Sequence, residues 1–62
     1  MDDLSAKVNY SDGRIREFLY VVPNMKVVVR DMRAELDADP AAQSAVIYRG
    51  RARVATLRRR KQ

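Results

Sequence analysis

Tyr10-Ser11-Asp12-Gly13-Arg14-Ile15-Arg16-Glu17-Phe18-Leu19-Tyr20-Val21-Val22-Pro23 is the stretch on which the fold of this chain turns. Ser11-Asp12-Gly13 reads as a turn, with Ser11 or Asp12 placed as the N-cap of a helix that starts near Arg14. Ile15, Phe18, Leu19 and Val22 then fall at i, i+3, i+4 and i+7, so one face of that helix is apolar. Pro23 has no amide donor and its ring clashes with the preceding turn, so the helix ends or kinks there.

Upstream, Ala6-Lys7-Val8-Asn9-Tyr10 alternates small or apolar with polar residues, the pattern of a short half-buried strand with Val8 and Tyr10 inward. Downstream, Asn24 is a good cap for a restart. Met25, Val28, Val29, Met32 and Leu36 follow on one helical stripe, opposite a charged face of Lys26, Arg30, Asp31, Arg33, Glu35 and Asp37. Pro40 pushes Asp39 out of the α region and stops this helix, leaving Ala41 to Ser44 as a small polar connection.

From Ala45 to Arg58 the period becomes two. Val46, Tyr48, Gly50, Ala52, Val54 and Thr56 fall on one side, with Ile47, Arg49, Arg51, Arg53 and Leu57 largely on the other. That is a long strand or a strand pair, with Gly50 as the place for a bulge or tight turn. The expected fold is therefore α+β: a short N-terminal strand, one kinked or two consecutive helices, then a C-terminal strand or hairpin. Residues 1–57 form one small domain and residues 58–62 a mobile basic tail.

A chain of 62 residues holds one domain at most and buries only about 60% of its unfolded surface. It has neither cysteine nor histidine, so disulfides, thiolate sites and imidazole ligands are all excluded. Stability must come from packing, and a thin core is best completed by protein subunits, as in a homo-oligomer. Residues expected in the core or at a subunit interface are Ile15, Phe18, Leu19, Met25, Val28, Val29, Met32, Leu36, Val46, Tyr48 and Val54.

Charge is segregated. Residues 1–48 carry six Lys/Arg against eight Asp/Glu, whereas residues 49–62 carry seven cations and no acid. A cationic end of this kind fits nucleic acid such as DNA, an anionic membrane surface or an acidic protein face. Arg49, Arg51 and Arg53 would project from one strand face about 6.6 Å apart, a spacing suited to tracking a phosphate backbone. Charge on an exposed edge strand also protects against edge-to-edge pairing, and acidic residues of a neighbouring subunit would serve equally well as partners.

Arg58, Arg59, Arg60 and Lys61 complete the candidate contact set for nucleic acid or an acidic partner. Tyr48, the one aromatic nearby, is expected on the opposite strand face, which removes the stacking platform of single-strand binders. No second helix concentrates basic residues for major-groove reading, and membrane attachment lacks an aromatic anchor.

Catalysis finds no purchase without imidazole or thiol, since Asp31 and Glu35 share a solvated helix face rather than a cleft. Gly13 and Gly50 form no phosphate-cradling loop. The expectation is no enzyme, no cofactor, no metal and no small-molecule substrate. Asp2 and Asp3 stand where a secretory signal needs cations, and no apolar run approaches a transmembrane segment, which indicates a soluble intracellular chain.

In the order of its elements, and in Tyr48-Arg49-Gly50-Arg51-Ala52-Arg53-Val54 after the helical middle, the chain resembles small head-to-tail connector proteins of tailed phages of actinobacteria. That resemblance implies a non-enzymatic structural virion protein that assembles as a ring between capsid portal and tail, near passing DNA, in the virion or the host cytoplasm. It also implies a further strand and helix after the arginine-rich segment, where this sequence ends at Gln62, and it carries over no site residue. The alternative is a small basic accessory protein that binds DNA or RNA without sequence preference.

Overall fold

Gly13 adopts φ +92°, a backbone state open to glycine and strained for other residues. It ends a three-residue loop in which the Gly13 amide donates to the Tyr10 carbonyl (3.1 Å) and the Tyr10 amide to the Arg14 carbonyl (3.0 Å). This is the hairpin connection in which a tight turn is followed by a left-handed glycine. In the computed structural model, which describes residues 3–21 and 24–59, the chain after Gly13 therefore returns as a strand. β1 (Leu4–Tyr10) and β2 (Ile15–Tyr20) pair antiparallel from Leu4↔Tyr20 to Asn9↔Ile15.

The helix expected over residues 14–22 is thus corrected to an edge strand. Ile15, Phe18 and Leu19 fit a helical stripe, but Ile15-Glu17-Leu19 and Arg16-Phe18-Tyr20 fit an alternation equally well. Aromatic and β-branched residues favour the pleated form once a partner strand is at hand. Val22 and Pro23, where the helix was to end or kink, lie outside the described residues.

A single helix, α1 (Met25–Ala38), follows. Asn24 caps it, its side-chain oxygen accepting from the amides of Lys26 (3.1 Å) and Val27 (3.4 Å). β3 (Ala42–Arg49) and β4 (Ala52–Arg58) form a second hairpin, so β3 begins within the segment expected as a polar connection. Gly50, at φ +60°, is the first of its two connecting residues, as a tight hairpin turn requires. The sheet runs β2-β1-β3-β4, antiparallel throughout.

One face of this sheet is covered by α1, which packs chiefly on β1 and β3. Leu4, Ala6, Val8 and Tyr10 of β1 meet Ala42, Ala45 and Ile47 of β3 and Val28, Met32 and Leu36 of the helix, all buried. Met25 and Val29 flank this core, with Phe18, Tyr20, Ala55 and Leu57 against its edges. Ile15 (63% exposed), Leu19 (77%) and Val54 (45%) stay in the open, because Ile15 and Leu19 sit on the face that no layer covers. Val46 and Tyr48 lie half-buried on that same open face. Truncating Met32 or Leu36 to Ala should cost about 2–5 kcal/mol of unfolding free energy in a denaturant titration.

Two phenols lace the helix to the sheet. Tyr10 donates to Glu35 Oε1 (2.7 Å) and Tyr20 to Asp31 Oδ2 (3.0 Å). Burial first, then the hydrogen bond and charge of Asp31, push the Tyr20 pKa from 10.0 up to about 12. Tyr10 is raised by burial and Glu35, with Arg16 opposing. A raised pKa means the neutral phenol is favoured in the folded state. Its stabilisation is complete below the unfolded value near 10 and is lost as pH climbs towards about 12. Equilibrium unfolding across that window should show stability falling with pH, and Tyr20→Phe should flatten the fall.

Candidate nucleic-acid interface

The uncovered sheet face is organised in three cross-strand rows. They are Leu19–Ser5–Tyr48–Arg53, Glu17–Lys7–Val46–Thr56 and Ile15–Asn9–Ser44–Arg58, each running from β2 to β4. Apolar side chains gather at the β2 end and arginines at the β4 end. Asn9 and Ser44 share a side-chain hydrogen bond of 3.3 Å that ties the middle of the third row.

Arg53 reaches this face through a change of register. Ile47 pairs with Ala55, but the next residue, Tyr48, pairs with Arg53, so Val54 is an extra residue in β4. A bulge reverses the alternation beyond it. Without it Arg53 would fall on the helix side with Ala55 and Leu57. With it Arg53 stands beside Tyr48, contrary to the expectation that Tyr48 and the arginines occupy opposite faces. Lys7 Nζ lies 5.8 Å from the Tyr48 ring centroid, so an aromatic ring and two cations share one corner.

The seven cations singled out in the sequence part company. Arg49 closes β3 on the helix-side register, opposite Leu4, and Arg51 lies in the turn. Arg51 lines a shallow depression with Ser5, Lys7, Glu17, Tyr48 and Gly50. Arg53 and Arg58 border another with Ser44, Val46, Thr56 and Arg33, whose guanidinium donates to the Arg58 carbonyl (3.2 Å). The even stripe of Arg49, Arg51 and Arg53 therefore does not form, because the chain reverses at Gly50-Arg51. Arg60 and Lys61 lie outside the described residues.

Arg59 has a structural occupation. Its Nη1 donates to the carbonyls of Leu36 (2.6 Å), Asp39 (2.9 Å) and Ala42 (3.3 Å), and its amide donates to the Gln43 carbonyl (3.0 Å). The last turn of α1 contains no basic residue, so a guanidinium from the end of β4 supplies the cation that satisfies its terminal carbonyls. The segment expected as a mobile tail from residue 58 thus begins as the end of β4 and a helix clamp. Sequence spacing gives no signal for this pairing, since the partners lie 23 residues apart.

Several acidic groups are engaged on the helix and in the first turn. Glu35 holds Tyr10 and Arg16, the latter at 3.3 Å. Asp31 holds Tyr20, and Asp12 bonds the amide and guanidinium of Arg14, contacts that lower its pKa. In the three open rows, Lys7, Arg53 and Arg58 face one carboxylate, Glu17, itself paired across from Lys7. The open face is therefore net cationic, and Lys7, which the charge pattern of the C-terminal segment does not flag, belongs to it.

No family model, curated protein or solved structure matches the chain at a significant level. Among the described residues, no helix is long and apolar enough to cross a membrane. Arg59→Gln should lower unfolding free energy by about 1–2 kcal/mol through the lost clamp. Arg58→Gln, whose contact runs through its backbone carbonyl, should leave the melting temperature nearly unchanged. A thermal melt of the two variants checks both.

Proposed function

We propose that this chain is a non-enzymatic nucleic-acid-binding module that lays a strand of DNA or RNA along the β3–β4 half of its open sheet face. The observation that supports this reading is the shared corner of Tyr48, Lys7 and Arg53. Arg58 extends the cationic edge about 15 Å further along β4. A cation-lined sheet with an aromatic ring offers phosphate neutralisation and base stacking together, without base-edge readout, so binding is tolerant of sequence. Single strands suit the corner best, because an unpaired base can lie on Tyr48 while its phosphates meet Arg53 and Arg51.

A second reading is a structural subunit of a phage neck or a related virion assembly. It is supported by the exposed Ile15, Leu19 and Val21 on and just beyond β2, apolar surface that an assembly would cover. The two readings part on behaviour: the first requires salt-dependent binding, the second a defined closed oligomer or stoichiometric incorporation into a particle.

Fluorescence anisotropy with a labelled oligothymidine and a duplex of equal length tests the first. Removing Lys7, Arg53 and Arg58 together, each to Gln, should weaken binding and flatten the log–log salt slope by about 2–3. Tyr48→Ala should cost about 1–3 kcal/mol on the single strand and much less on the duplex. Absence of binding at low salt, or binding indifferent to all four changes, overturns the proposal.

A further inference from the structure

The sheet has two free edges, β2 and β4, and they are built differently. An edge strand presents a row of unpaired amides and carbonyls that invites another strand, and proteins blunt such edges with charges and bulges. β4 has both devices, in the Val54 bulge and in Arg53 and Arg58, whereas β2 carries the charges Arg16 and Glu17 but no bulge. β2 pairs with β1 through Ile15–Asn9 to Tyr20–Leu4 with no register shift. It also carries or adjoins three of the four large apolar side chains exposed among the described residues: Ile15 at 63%, Leu19 at 77% and Val21 at 89%. On its other side, Phe18 and Tyr20 border a shallow groove against Met32, Glu35 and Ala38 of the helix.

We infer that β2 is a self-association edge, on which a second copy of this chain adds its own β2 antiparallel to make one continuous eight-stranded sheet. This rests on a different strand from the nucleic-acid reading and does not require it. The sequence of β2 is self-complementary, which favours a second copy, and charge together with the length of the pairing narrows the register. In a two-fold antiparallel pair, side chains directly opposite share a face, and like charges there are destabilising. Centring the pair on Arg16 opposes two arginines, and centring it on Glu17 opposes two carboxylates.

Centring it on Phe18 or on Leu19 opposes no like charges, but only Phe18 pairs the whole of residues 15–21 with its counterpart. Phe18 meets its counterpart, Ile15 meets Val21 of the other copy, Arg16 meets Tyr20 and Glu17 meets Leu19. The arrangement leaves both cationic β4 strands at the outermost edges, about 34 Å apart across seven strand spacings in a flat sheet.

Sedimentation equilibrium over a wide concentration range, on the full chain without nucleic acid, should show reversible monomer–dimer exchange. Leu19→Glu, at an exposed position and set against Glu17 of the other copy in this register, should leave a folded monomer by circular dichroism, whereas Val54→Glu on β4 should still dimerise. The chain has no cysteine, so a single Phe18→Cys should form an oxidised covalent dimer, and Glu17→Cys should do so far less. A purely monomeric mass at every concentration, a dimer that survives Leu19→Glu, or faster cross-linking through Glu17→Cys overturns the inference.

Discussion

A single helix laid over one face of a four-stranded sheet is the constraint from which the other properties of this chain follow. Val28, Met32 and Leu36 reach down to Leu4, Ala6, Val8, Ala45 and Ile47, and these side chains are the hydrophobic core almost in its entirety. Among the described residues no second helix covers the opposite face. That face must therefore be filled by residues that tolerate water or by a partner, and its three rows show both solutions, apolar towards β2 and cationic towards β4.

Because the covered area is small, polar ties matter at its margins. Tyr10 and Tyr20 fasten the first hairpin to Glu35 and Asp31, Asn24 closes the start of the helix, and Arg59 closes its end. Each joins elements distant in sequence or satisfies backbone groups that would otherwise face the core rim without partners. The carboxylates Asp31 and Glu35 that receive these bonds belong to the helix, and the open rows, with Glu17 against Lys7, Arg53 and Arg58, are left net cationic.

Much of the second half of the fold is legible in the sequence. The stripe from Met25 to Leu36 has the length and period that only a helix satisfies, Asn24 and Pro40 bracket it, and Gly50 marks a chain reversal. Residues 15–20 were not decidable by period, since six residues support a stripe and an alternation equally. The available signal was Asp12-Gly13, a turn pair that favours a hairpin over a cap. The face of Arg53 was hidden for another reason: a bulge leaves no mark in composition. Arg59, similarly, reads as one more cation in a basic run until the helix end is brought beside it.

The Val54 bulge has a consequence for how such a surface changes over generations. Strand faces alternate by parity, so the side on which Arg53 stands is encoded in a count of residues rather than in residue types. A chain one codon shorter at that point, with Arg53 directly before Ala55, would still pair Tyr48 with Arg53 in an unbroken alternation, whereas the present length without the bulge would turn Arg53 towards the helix. The bulge thus lets β4 gain or lose one residue at this point without moving Arg53 from its face, so that substitutions of Arg53 or Tyr48, more than a change of length there, are the events that would surrender this chemistry.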